Sequence, residues 1–127
     1  MVGAPHQEAA LALLAAARDG ATRPAISGQV LREYLAATTR PQRWARPLPM
    51  DSALQDVVRL QTAFQVLEDG PRVASALESL CRAVPLAGKQ VHDANIVATM
   101  LAHGRRRLAT FNVKDFIRFG DRIEIVT

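Results

Sequence analysis

Val91-His92-Asp93-Ala94-Asn95-Ile96-Val97-Ala98-Thr99-Met100 and, shortly after it, Leu108-Ala109-Thr110-Phe111-Asn112-Val113-Lys114-Asp115-Phe116 decide how this chain is read. The first segment opens a helix over residues 91–103. Ala94, Val97, Ala98 and Leu101 fall on one face, and Gly104 is its stop. Asp93 stands in the first turn of that helix, where the dipole favours a negative charge. The second segment begins with a short strand over residues 107–110 and then turns toward an acidic residue. Asp115 therefore follows the carboxyl end of a strand, where open α/β sheets place their sites, and Asn112 offers a neutral oxygen three residues earlier.

The same alternation extends outward in both directions. Downstream, residues 122–126 alternate as a strand. Upstream, Asp69-Gly70-Pro71 is a turn whose proline suits the first position of a helix reaching about Ala83. Residues 64–67 form a short strand. The helix before it, with Asp51 or Ser52 as its cap, carries Leu54, Val57, Val58 and Leu60. Residues 40–49 form a loop with three prolines, three arginines and Trp44. Ser27 is placed to cap a helix through about Thr38, with Val30, Leu31, Tyr34 and Leu35 as its apolar stripe, and residues 23–26 lead into it as an extended piece. Residues 6–18, rich in alanine and leucine, read as a helix stopped by Gly20. Helices alternating with short apolar strands define an α/β architecture with a parallel sheet.

The totals bound the function. At 127 residues the chain has the length of one domain, and with 49% apolar residues it can build a core. Cys81 is the single cysteine, which excludes an internal disulfide and is read as a core residue. No apolar run approaches the ~20 residues that span a bilayer, and no signal peptide is legible, so the expectation is a cytoplasmic protein without a membrane partner. A net charge of +4 favours polyanionic partners, nucleic acid or an acidic protein, although a soluble basic surface gives the same balance. There is no phosphate-binding glycine loop and no serine nucleophile motif.

Three carboxylates stand out by position: Glu33, inside an otherwise apolar helix with Ala36 and Ala37 a turn on, Asp93 and Asp115. Hard cations such as Mg²⁺ and Mn²⁺ take oxygen ligands, and a carboxylate cluster repels itself unless a cation holds it together. Phosphodiester hydrolysis needs an activated water and a stabilised leaving oxygen, both of which such metals supply. Each residue taken singly also has a plain structural reading: a helix-start charge for Asp93, a solvated face for Glu33, a turn for Asp115.

The two segments quoted first resemble the third and fourth acidic motifs of VapC-type PIN domains. The stretch Ile26-Ser27-Gly28-Gln29-Val30-Leu31-Arg32-Glu33-Tyr34 resembles the passage that carries their second acidic residue. The resemblance runs from about His6 to the end. It implies a single PIN-like domain over residues 1–127, a three-layer α/β fold with a short parallel sheet flanked by helices. It further implies a metal-dependent endoribonuclease, the toxin of a type II toxin–antitoxin pair, which hydrolyses RNA with a metal-activated water. Glu33, Asp93 and Asp115 would bind Mg²⁺ or Mn²⁺, with Asn112 as a lesser ligand and Thr110 positioning the site or a substrate phosphate. A VapB-type antitoxin would be the partner, inserting a helix or arm into the site, and a homodimer is usual among similar proteins. Arg43 and Trp44, with Arg40 and Arg46, are candidates to grip RNA by phosphate contact and base stacking, or else form a solvated loop with one anchoring aromatic. Arg105-Arg106-Arg107 suits a helix end.

The departure is at the front. Proteins of this type open with an apolar strand that ends in an aspartate and lies inside the sheet. Here Met1 to Pro5 precede the first expected helix, and no acidic residue occurs before Glu8. The expectation is a fold lacking its first strand, explained by a start placed too late, by a shortened inactive copy, or by a strand from another chain; the first is favoured. The alternative function is a catalytically inactive PIN-like module that binds antitoxin or RNA. A third is a basic domain that holds nucleic acid through charge alone.

Overall fold

The computed structural model describes the backbone of residues 15–18, and residues 23–41 and 46–126 in full. In chain order the elements are β1 (Ala15–Arg18), β2 (Ala25–Ser27), α1 (Gly28–Thr39), α2 (Met50–Ala63), β3 (Gln65–Leu67), α3 (Pro71–Ala83), α4 (Gln90–Ala102), β4 (Arg107–Thr110), α5 (Val113–Phe116), a 3₁₀ turn (Ile117–Phe119) and β5 (Glu124–Val126). The α/β class expected from the alternation is the class observed.

The strands form one sheet in the order β3-β2-β1-β4-β5. β2 pairs with β3 and β4 with β5 in parallel, while β1 lies between β2 and β4 and runs antiparallel to both. Two strands antiparallel to a shared neighbour are parallel to each other. The carboxyl ends of β2, β3, β4 and β5 therefore share one edge of the sheet.

The expected helix over residues 6–18 fails at its end, because Ala15–Arg18 is a strand; residues 6–14 lie outside the described residues. Alanine is a strong helix former, but β2 and β4 each present a row of backbone donors and acceptors to the gap between them. Four extended residues satisfy both rows at once, a tertiary demand that local propensity does not register. The sheet is accordingly mixed rather than wholly parallel.

The helices follow their sequence signals with two corrections. The Ser27 hydroxyl accepts from the Val30 amide at 3.2 Å and caps α1 as expected. The α2 helix starts instead at Met50 behind Pro49, with no side-chain cap from Asp51 or Ser52. Its expected stripe is split: Val57 is buried, whereas Leu54 and Val58 are exposed, because α2 meets α1 and β3 along a narrow seam. Within that seam the Tyr34 hydroxyl donates to Asp56, and burial together with this carboxylate pushes the phenol above its usual range. On α3 the buried positions are Val73 and Leu80, so Cys81 falls outside the core and is exposed. Arg105 is buried and donates to the Arg23 carbonyl at 2.8 Å and to Gln65 Oε1 at 2.9 Å, fastening the end of α4 to the entrances of β2 and β3. That role is structural, as its place after a helix end implied.

The core runs from Ile26 and Leu108 on the sheet through Val30 and Val97 on the helices to Phe119. Phe119 is 0% exposed and its ring packs 6.4 Å from that of Phe116. Together they anchor the turn that follows β4. Phe119→Ala is expected to destabilise the fold by ~3–5 kcal/mol through lost burial and the cavity left behind, read as a lower urea midpoint at unchanged slope.

Candidate active site

The sheet's common carboxyl edge gathers residues that are distant in sequence. Glu33 lies in the second turn of α1, after β2. Asp115 lies in the first turn of α5, after β4. Asp93 lies in the first turn of α4. These three carboxylates line one cleft of about 460 Å³, together with Lys89, Gln90, His92 and Arg118. Asp93 registers the convergence electrostatically: its pKa is pushed up to about 6, first by burial and then by the charges of Asp115 and Glu33, with Arg118 and His92 pulling the other way.

A buried amide holds two of the three acidic elements in place. Gln29, one turn before Glu33 on α1, donates to the His92 carbonyl at 2.8 Å and more weakly to Glu33 Oε2 at 3.4 Å. Its own oxygen accepts from Asn95 Nδ2 at 2.7 Å, which also donates to Asp69 Oδ2 at 3.0 Å. The start of α4, with Asp93, is thereby pinned to the face of α1 that carries Glu33. Sequence reasoning missed Gln29, Asn95, Lys89 and Arg118. The available signals were a polar residue four before Glu33 inside an apolar helix, and a cation three after Asp115.

Thr110 is buried, and its hydroxyl accepts from the Asn112 amide at 3.0 Å, which sets the turn between β4 and α5. Asn112 heads α5, and its carbonyl accepts from the Asp115 amide at 3.0 Å. Both residues shape the support of Asp115, and neither belongs to the wall of the cleft. Arg43 and Trp44 lie outside the described residues. β1 adds no acid at this edge. Its residue beside Thr110 is Ala15, and the strand then runs away from the cleft.

Among the described residues, no three acidic, imidazole or thiol groups stand close enough to share one coordination sphere. The donors are all oxygen, which suits a hard cation. Mg²⁺ usually keeps several of its waters and binds through one or two carboxylates, so the chemistry of a cleft lined by Glu33, Asp93 and Asp115 suits a hydrated ion.

The sequence matches the family model of the PIN domain over residues 2–121, and the chain belongs to the PIN domain family. Proteins of this family are generally nucleases that use divalent metal ions. No curated protein matches the chain, and no helix among the described residues is long and apolar enough to cross a membrane.

Two expectations follow. Gln29→Leu leaves the His92 carbonyl without its side-chain donor and Asn95 with Asp69 alone of its two acceptors, costing ~1–3 kcal/mol of stability in urea unfolding. Asp93 binds its proton more tightly folded than unfolded, so the native state loses relative stability as pH rises from about 3.8 to about 6 and stays lower above that. Asp93→Asn should flatten this slope. At neutral pH without divalent ions it should stabilise the fold by about 1 kcal/mol once solvent screening is allowed for, measured as a higher melting temperature.

Proposed function

We propose that this chain is a metal-dependent endoribonuclease of the VapC type, the toxin of a type II toxin–antitoxin pair. The observation that supports this reading best is the meeting of Glu33, Asp93 and Asp115, from three separate elements, in one cleft at the sheet's carboxyl edge. In this reading these carboxylates hold Mg²⁺ or Mn²⁺, Asn112 orients the turn or lends a neutral oxygen, and Thr110 fixes the geometry of β4's exit. A divalent ion held there would supply Lewis-acid chemistry, polarising water and screening charge on the phosphodiester. Gln29 keeps the Glu33 and Asp93 carboxylates at a constant offset, so the cup needs little reorganisation when it is filled. Arg43 and Trp44 are assigned to the RNA path by phosphate contact and stacking. A VapB-type antitoxin is the proposed partner, with an arm laid across the cleft, and the active form is proposed as a homodimer.

A second reading is favoured by β1. With Ala15 rather than an acid at the site end of the central strand, the cup has no carboxylate from the middle of the sheet among the described residues. On that reading the chain is a PIN-like module that binds antitoxin or RNA without cutting.

Incubating the purified chain with a mixed-sequence RNA should give internal cleavage that requires Mg²⁺ or Mn²⁺. Asp93→Ala or Glu33→Ala should reduce it by at least ~100-fold, in line with loss of a metal ligand. Cleavage surviving excess chelator would remove the metal-nuclease reading. Absence of Mn²⁺ binding in a calorimetric titration, with RNA still retained, would favour the non-catalytic module.

A further inference from the structure

Arg118 is a charged group of the cleft that the carboxylate cup leaves without a role. It sits in the 3₁₀ turn three residues after Asp115, half-buried, and lines the cleft that holds Asp93 and Asp115. Phe119 beside it is fully buried and packs on Phe116, so the backbone that carries Arg118 is anchored. Among the described residues Arg118 makes no hydrogen bond, and no carboxylate comes within 4.0 Å of it in an ion pair. An internal counter-ion for Asp93 or Asp115 would close on one of them. Arg118 lines the same space without such a contact and acts on Asp93 through space, so its planar fork of donors is available to a ligand of the cleft.

The charge balance says what those contents are. Three carboxylates outnumber the two permanent cations of the cleft, Lys89 and Arg118, so the empty cup repels a polyanion. One divalent ion reverses that sign. Lys89 caps the N-terminal end of α4 and adds to the positive potential there once the ion is in place.

Resting on the nuclease reading, we propose that Arg118 binds a non-bridging phosphate oxygen of the RNA beside the divalent ion, and that the cleft accepts the RNA backbone only after it has been loaded with that ion. Arg118 is thus a substrate-contacting residue and not part of the metal's support. The two roles separate cleanly. A supporting residue helps the cation, whereas a phosphate-binding arginine opposes it, since two positive charges share one cleft.

The test uses the full chain as wild type, Arg118→Gln and Arg118→Lys. It combines Mn²⁺ titration by calorimetry, anisotropy of a labelled single-stranded oligoribonucleotide with Ca²⁺ or with chelator across a salt series, and cleavage rates in Mg²⁺. Wild type should bind the oligoribonucleotide with the ion and far more weakly in chelator. Arg118→Gln should bind Mn²⁺ as tightly as wild type or tighter, bind RNA roughly 10-fold or more weakly, and show a salt slope smaller by about one. Its kcat/KM should fall by about 100-fold, the scale of a lost charged contact to a transferring phosphate. Arg118→Lys restores the charge without the fork and should recover part of the binding.

Parallel loss of Mn²⁺ and RNA binding in both variants would overturn the proposal by making Arg118 a structural support. Unchanged RNA affinity and salt slope would overturn it outright while leaving a cleaving wild type, and so the nuclease reading, intact. If wild type binds the ion and RNA but does not cut, a weaker, flatter Arg118→Gln binding curve upholds the phosphate contact while the nuclease reading falls. A wild type that binds neither overturns both.

Discussion

The backbone hydrogen-bonding demand between β2 and β4 is the constraint on which the rest of this molecule depends. One strand separates them, so they lie about 9–10 Å apart, too far to pair with each other. Ala15–Arg18 meets that demand from both sides, with Ala16 opposite Ile26 on one strand and Ala109 on the other. This double register fixes the level at which β2 and β4 end. Those ends in turn set where α1 and α5 begin, and so where Glu33 and Asp115 stand. A strand of either direction could pair with both neighbours, with a different ladder pattern in each case. The direction of β1 does decide which residue reaches the cleft, and here it brings alanine to that edge and leads Arg18 away from it.

Once the strand ends are level, the site is a contest between repulsion and support. Glu33, Asp93 and Asp115 carry like charges into one half-buried cleft, and burial first, then the charges of Asp115 and Glu33, raise the pKa of Asp93. The Gln29–Asn95–Asp69 network opposes relaxation by tying α1, the start of α4 and the turn after β3 together through one buried and one half-buried amide. Buried hydrogen bonds of this kind penalise any movement that would leave an amide or carbonyl unpaired. The Phe116–Phe119 pair does the same for the α5 turn by packing. On the proposed reading, a cleft kept open against its own charge favours a cation, at a cost in stability of the kind functional sites carry.

Much of this was legible in the chain. The period of the apolar residues gives α1, α3 and α4 to within a residue or two, and Ser27, Pro71 and Gly104 mark ends that the structure keeps. Where the reading slipped, the cause is local. At α2 the apolar count was right, but Leu54 and Val58 are exposed because no element covers that side of the helix among the described residues. Cys81 looked like core by residue type and lies outside it because Leu80 occupies the inward position.

The sequence by itself determined the α/β class, the helices α1, α3 and α4, and the three acidic residues worth watching, because periodicity, caps and turn residues act over a few neighbours. Only the tertiary structure decided that an alanine-rich segment becomes the central strand, that Gln29 bridges α1 to α4, and that Arg118 lines the carboxylate cleft without a close ion pair among the described residues. Each of these depends on groups brought together across tens of residues, where hydrogen-bond demand and charge act through space and leave no periodic mark along the chain.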